Sequence, residues 1–223
     1  MEQRHLNALM VVVSDLWLDC PRTMQKFEQL LKSLTVCEST IPAAMILQGP
    51  FVSNPIPNLS LVAHFQNLFN ILALVIQKFP QFVQQTRFFL QPSLEDLLAP
   101  NTLPRMPIPV ELLKPLLHAG IDVMAISNPS RIFAFTKEIA VMRYDWGPQL
   151  RRPGVILKGL EGSRDGKVFR WMLEQAHTCP VSLAAQPRHW DYDHALCIYP
   201  LPDLVNYSCV SSLLFHECMH LNS

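Results

Sequence analysis

The chain has 223 residues, 49% of them hydrophobic and 16% charged, which is ordinary composition for a globular protein with a sizeable core. Its 18 Lys and Arg balance 18 Asp and Glu, so no overall field favours phosphate backbones or anionic lipid. Direct nucleic-acid binding is therefore not expected.

The opening segment MEQRHLNALMVVVSD holds only a short apolar run, too short for a secretory h-region or a membrane span of about 20 residues. The expectation is a soluble intracellular protein. Leu9 to Val13 and Ala43 to Leu47 read as buried strands, and between them TMQKFEQLLKSL puts Met24, Phe27, Leu30, Leu31 and Leu34 on one side of a helix. Pro21 stands near its start. A strand, helix, strand unit predicts a parallel pair.

NPIPNLS is a turn-rich lead-in to a long helix, whose stripe is Leu61, Val62, Phe65, Leu68, Phe69, Leu72, Val75, Ile76 and Phe79, ending at Pro80. Arg87 to Leu90 is a third strand; Val123 to Ile126, Arg131 to Thr136 and Glu138 to Met142 are further short strands, the last two a hairpin. RRPGVILKGLEGSRD, residues 151–165, is a surface loop: Glu161 and Asp165 interrupt its positive charge, and it has no GxxxxGK pattern. Lys167 to His177 reads as an amphipathic helix with Val168, Phe169, Trp171, Met172 and Leu173 as its apolar content. Leu196, Ile198 and Leu201 read as residues of a buried strand. The class is α/β.

An aspartate at the mouth of a buried strand, Asp15, reaches the carboxyl edge where ligands of α/β sheets gather. In metal-dependent phosphoesterases that position opens a DxH pair, but here the third residue is Trp17. Two divalent ions about 4 Å apart need shared carboxylates and fixed imidazoles from several strand ends. The second strand ends in LQGPFVS, keeping Gly49 but placing Pro50 and Ser53 where acidic ligands belong. The third ends in FLQPSLED, with Ser93 and Leu94 at the Asn and His positions, and no GHxH follows. Asp15, Glu95 and Asp96 have no histidine neighbours in sequence, and carboxylates alone do not make this cage.

These remnants, in order, resemble the B (second) subunits of eukaryotic replicative DNA polymerases, most closely the epsilon type. VVVSDLWLD is similar to the family's first phosphoesterase strand with its DxW substitution, TRFFLQPSLED to the segment usually ending PGPED, and LPRMPIP to its LPR loop. SNPSRIFAFTKEIAVMRYD resembles the NPCRI hairpin and following strand, through Asn128, Pro129 and Arg131. WDYDHALCIYPLPDL resembles the WxYDxALxxYPxPD signature, through Trp190, Tyr192, Asp193, Ala195, Tyr199, Pro200 and Asp203. The resemblance implies a calcineurin-like phosphoesterase β-sandwich flanked by helices that has lost its metal ligands. It further implies a nuclear, non-catalytic scaffold in DNA replication without a cofactor. Its partner would be the C-terminal zinc module of the catalytic subunit of DNA polymerase epsilon, with nucleic acid met only through the complex. Trp17 would then be a packing residue.

The resemblance covers residues 8–204 as one degenerate domain. No OB domain or N-terminal helical domain is recognised, and 205–223 reads as a divergent tail lacking the closing strand. That tail contains HECMH, His216 to His220, a match to the HExxH zinc-peptidase pattern with Glu217 as general base. Only three residues follow, so no downstream third ligand exists in this sequence. An active phosphoesterase around Asp15 and Asp96 is the other enzymatic alternative. His189 and His194 flank WDYD, where a metal or acid/base pair with Asp191 or Asp193 is the alternative to the favoured reading, core or surface packing around Trp190 and Tyr192. The six cysteines, Cys20, Cys37, Cys179, Cys197, Cys209 and Cys218, form no CxxC pair and read as free thiols.

Overall fold

A computed structural model describes residues 9–36, 41–53, 61–96, 101–134, 136–146, 164–209 and 213–217. The lead-in at 54–60, the glycine-bearing loop over 151–163, and Cys37, Cys218 and His220 lie outside the described residues. The chain divides into two compact units, one of Met1–Pro100 with Met106–Ser127, the other of Asn101–Arg105 with Asn128–Ser223. The class is α/β as expected, with one parallel and one mixed sheet accompanied by helices, consistent with a phosphoesterase-like fold.

In the first unit β1 (Met10–Val13), β2 (Ala44–Gln48), β3 (Arg87–Gln91) and β4 (Val123–Ala125) lie in sequence order, each parallel to the next. Parallel neighbours need crossovers, and helices supply them. All four strands consequently deliver their carboxyl ends to one edge. Every residue of β2 is buried, as a strand covered on both faces requires.

Helix α1 (Pro21–Val36) buries Met24, Phe27 and Leu31, a 3.6-residue stripe. Helix α2 (Leu61–Gln77) turns Phe65, Phe69, Leu72 and Ile76 inward. Pro80 does not simply stop it. Pro80 also opens a short helix, α3 (Pro80–Gln85), because a proline at the first helical position forfeits only an N–H that had no partner there.

Helix α4 (Val110–His118) has no counterpart among the expected elements, since its nine residues carry Pro115 in their interior. That ring removes the N–H that would have bonded the Glu111 carbonyl one turn back. Gln66 of α2 supplies the replacement, its Nε2 donating to Glu111 O at 3.0 Å. The helix ends in a Schellman pattern: Gly120 (φ +75°) donates N–H to Leu117 O at 3.0 Å, and Ile121 to Leu116 O at 3.2 Å. Buried Ile121 then leads into β4.

In the second unit β5 (Ser130–Ala134) and β6 (Lys137–Arg143) form the expected antiparallel hairpin. β7 (Leu204–Ser208) runs parallel to β6, and β8 (Leu213–Glu217) antiparallel to β7, in the order β5-β6-β7-β8. This corrects the reading of 205–223 as a tail without a closing strand, and the boundary expected at 204 falls inside β7. The strand escaped notice because Val205 and Tyr207 alternate with Asn206 and Ser208, which looks half-exposed, yet all four are buried. Helix α5 (Arg164–Glu174) starts and ends earlier than expected; it buries Val168, Phe169 and Met172, and Phe169 stacks on Tyr207 at 5.6 Å. Trp190–Leu196 is a 3-10 helix and not part of a strand; Leu196 and Ile198 are buried as expected, but Leu201 is exposed.

Candidate functional site

At the carboxyl edge of the parallel sheet, Asp15 leaves β1 in a left-handed conformation (φ +56°), which costs a non-glycine residue roughly 1–2 kcal/mol. Its side chain is half-buried, and Trp17 beside it is 38% exposed, so most of the indole surface is covered without being interior. Ser53 does not face this edge as a ligand; its N–H and hydroxyl both donate to the Asp19 carboxylate, the hydroxyl at 2.7 Å.

Gly49, Pro50, Ser93, Leu94 and Asp96 form a buried knot. Asp96 accepts the Phe51 N–H at 2.8 Å on one oxygen and the Ser93 N–H at 2.7 Å on the other. Gly49 is demanded by this arrangement: a Cβ there would collide with Asp96 Oδ2 and press on Ser93 N. Glu95, in contrast, is exposed, and its N–H rests on Ser93 Oγ at 3.1 Å.

Between the strand ends runs a chain of hydrogen bonds that sequence reasoning missed. Ser14 Oγ donates to Gln48 Oε1 at 2.6 Å, Gln48 Nε2 to Gln91 Oε1 at 2.7 Å, and Gln91 Nε2 to Ser127 O at 2.9 Å. Both glutamines are fully buried and stand opposite each other in the β2/β3 register. A readable signal was present: the two central strands, β2 and β3, both end in Gln, and a buried amide must find partners. The donor set does not fit a two-ion cage, because the amides are spent on one another and Asp96 on backbone N–H groups. Among the described residues no three His, Cys, Asp or Glu side chains converge as metal ligands.

The second unit gathers the other motifs. The Arg105 N–H donates to Asn128 O at 2.7 Å and the Asn128 N–H to Arg105 O at 3.0 Å, so the LPR loop pairs with the NPSRI segment. The Asn128 side chain continues the pairing: Nδ2 donates to Arg143 O at 2.6 Å, and Oδ1 accepts the Arg143 N–H at 3.1 Å. Pro129 is buried beside it. On its other side the LPR loop meets the residues before the 3-10 helix: the Leu103 N–H donates to Pro187 O, and the His189 N–H to Leu103 O at 2.8 Å.

Arg131 on β5 pairs with Glu138 at 2.8 Å and also donates to Pro200 O at 2.8 Å and Cys197 O at 3.2 Å. Asp203 accepts Lys137 Nζ at 3.0 Å and the Glu138 N–H at 2.8 Å. Asp193 lies 3.2 Å from Arg188 Nη1 and 3.5 Å from His177 Nε2. Burial lowers the His177 pKa below its ordinary value, against the pull of Asp193; its Nδ1 accepts the Cys179 N–H at 2.9 Å. Burial also pushes the Cys179 thiol up to about 11.

The same signature turns other members outward. Trp190, Tyr192 and Tyr199 are 69%, 58% and 82% exposed, and Ala195 and Pro200 are exposed too; the His194 ring lies near Tyr192 at the surface, centroids 6.4 Å apart, in line with the packing expected there. His189 instead sits 3.0 Å from Thr102 Oγ1. His216 and Glu217 belong to β8, a strand, which removes the helix that an HExxH zinc site requires at those residues.

The fold and this edge define a phosphoesterase-like α/β chain whose strand-end site is closed by its own hydrogen bonds. The chain matches the family of DNA polymerase alpha/epsilon B subunits over residues 10–214, and it belongs to that family. It is 35% identical to DNA polymerase epsilon subunit 2 of Drosophila melanogaster, covering 100% of this chain and 42% of that protein. It is 31% identical to the DNA polymerase epsilon B subunit of Arabidopsis thaliana (92% and 39%) and 29% identical to DNA polymerase epsilon subunit 2 of Homo sapiens (92% and 38%). The chain thus spans about two fifths of the length of the curated relatives it matches.

Proposed function

We propose that the chain is a non-catalytic accessory subunit of an epsilon-type replicative DNA polymerase, a scaffold that binds the C-terminal zinc module of the catalytic subunit in the nucleus. Nucleic acid is met only through the complex. One observation carries the reading: at the edge where a phosphoesterase grips its ions, Ser14, Gln48, Gln91 and Asp96 commit their polar atoms to one another and to backbone. Such an edge supports shape and assembly over hydrolysis. The named relatives, all polymerase epsilon second subunits, support the same assignment.

The test is co-purification of this chain with the catalytic subunit's C-terminal region, run beside a version extended to the relatives' full length. Retention of the catalytic region by both is expected. A folded, extended protein that fails to retain it removes the reading. Manganese-dependent hydrolysis of an aryl phosphate, abolished by Asp15→Asn, would replace it with an active phosphoesterase.

A further inference from the structure

His177 stands where two segments of the second unit are laced together. Helix α5 ends in a turn: Ala176 is left-handed (φ +50°), its N–H donates to Leu173 O at 3.0 Å, and the His177 N–H donates to Met172 O at 3.3 Å. That turn is tied to the end of the 3-10 helix on both sides of His177. The Thr178 N–H donates to Leu196 O at 2.7 Å, and its hydroxyl donates to the same oxygen at 2.9 Å. The Ile198 N–H donates to Ala176 O at 2.8 Å, with His177 and Cys197 opposite each other between these bonds.

The imidazole ring adds a further tie. Its Nδ1 accepts the Cys179 N–H at 2.9 Å, and an accepting ring nitrogen carries no proton, so the neutral ring holds its proton on Nε2. Nε2 lies 3.5 Å from Asp193 Oδ1, the same oxygen that Arg188 Nη1 reaches at 3.2 Å, and Arg188 Nη1 also donates to Cys179 O at 3.3 Å. A second proton, on Nδ1, would point at the Cys179 N–H, donor against donor. Its charge would meet a carboxylate already paired with a guanidinium. Burial, the largest influence on the ring, disfavours the charged form; Asp193 opposes that and Arg188 reinforces it. Of the other titratable groups on these segments, the Cys179 thiol is pushed up to about 11 and stays neutral, and Glu174, earlier on α5, is engaged with Arg170.

We propose that His177 is a proton-operated catch: the neutral ring keeps the end of α5 fastened to the 3-10 helix, and uptake of one proton breaks the Cys179 hydrogen bond and lets residues 177–179 and 196–198 part while the sheet stays intact. The test is amide hydrogen exchange, read residue by residue by NMR on the 15N-labelled full chain from about pH 7.5 to about pH 5.5. Rates are corrected for the intrinsic pH dependence of exchange, and the ring 15N shifts of His177 are recorded alongside. The variant His177→Asn keeps an acceptor close to the Nδ1 position but nothing that titrates, and His189 and His194 remain in it as they are.

At the upper pH the ring shifts should report the Nε2–H tautomer. An open form that titrates near the ordinary value of about 6.5, set against a closed form that stays neutral, gains about tenfold in population across this range. Protection of the Thr178, Cys179 and Ile198 amides should therefore fall about tenfold in wild type and stay level in His177→Asn. The Tyr144 N–H, which donates to Ser208 O at 3.0 Å, should keep its protection in both. An Nδ1–H tautomer, constant protection in wild type, or the same fall in His177→Asn each overturns the catch. Loss at Tyr144 in step with Ile198 overturns it as well, because the whole unit would then be unfolding.

Discussion

Gln48 and Gln91 face each other across neighbouring parallel strands, and the amide of one donates to the carbonyl of the other at 2.7 Å with neither exposed to water. Removing one partner leaves the other's polar atoms stranded, whereas removing both leaves less to strand. We expect Gln48→Leu and Gln91→Leu each to cost about 1–3 kcal/mol, and the double variant clearly less than their sum. Urea melts of the four proteins in a double-mutant cycle measure the coupling; strict additivity would show that the two amides act separately.

Gly49 faces a different constraint. A methyl group there meets Asp96 Oδ2 and the Ser93 backbone, neither of which is the loose end of a flexible chain, since Asp96 is held by two backbone N–H groups. Gly49→Ala is expected to destabilise by about 1–3 kcal/mol. The same melts check it, and a neutral result would mean the loop at Ser93 yields more easily than its hydrogen bonds suggest.

Trp17 offers a contrast in burial. A fully buried tryptophan loses about 3–5 kcal/mol on truncation to alanine. With 38% of its surface in water, Trp17→Ala should fall well below that range. A loss as large as the buried value would place the indole in the interior.

Acidification should weaken the second unit through His177. Its folded pKa is lowered, mainly by burial, so the folded state prefers the neutral ring while the unfolded chain takes up a proton near pH 6.5. Stability from this group is complete above about pH 6.5 and declines as pH falls from there through the folded pKa. Thermal melts across that window should show a drop in wild type that is reduced in His177→Gln.

Two cysteines should differ in reactivity. The half-exposed Cys20, at the start of α1, receives hydrogen bonds from Thr23 that lower its pKa, whereas buried Cys179 is pushed up to about 11. Thiolate is the reacting form. Iodoacetamide at neutral pH, followed by mass spectrometry, should modify Cys20 well before Cys179 in the native chain, with the difference erased in denaturant.

What could be read from the chain alone followed from periodicity. The α1 stripe of Met24, Phe27 and Leu31 and the hairpin at Arg131 and Glu138 stand where the pattern put them, because apolar spacing reports burial directly. Helix α4 was illegible because its completeness depends on Gln66, which lies far away in sequence. β7 was hidden for a related reason: buried Asn206 and Ser208 look like surface residues until neighbouring strands are known. At the edge, the sequence displayed which ligands were missing. What stands there is a relation between two glutamines 43 positions apart, visible only in register.

The amide chain also limits what any single substitution at this edge can do. Changing Trp17 to His would place one imidazole at an edge whose glutamines are mutually bound and whose Asp96 is occupied by main-chain donors. Any metal ligand introduced singly would meet a neighbourhood already committed elsewhere, and a side chain at position 49 would still clash with Asp96. Fitting ions to this edge would therefore take several coordinated replacements, because the hydrogen bonds that hold it are shared between strands.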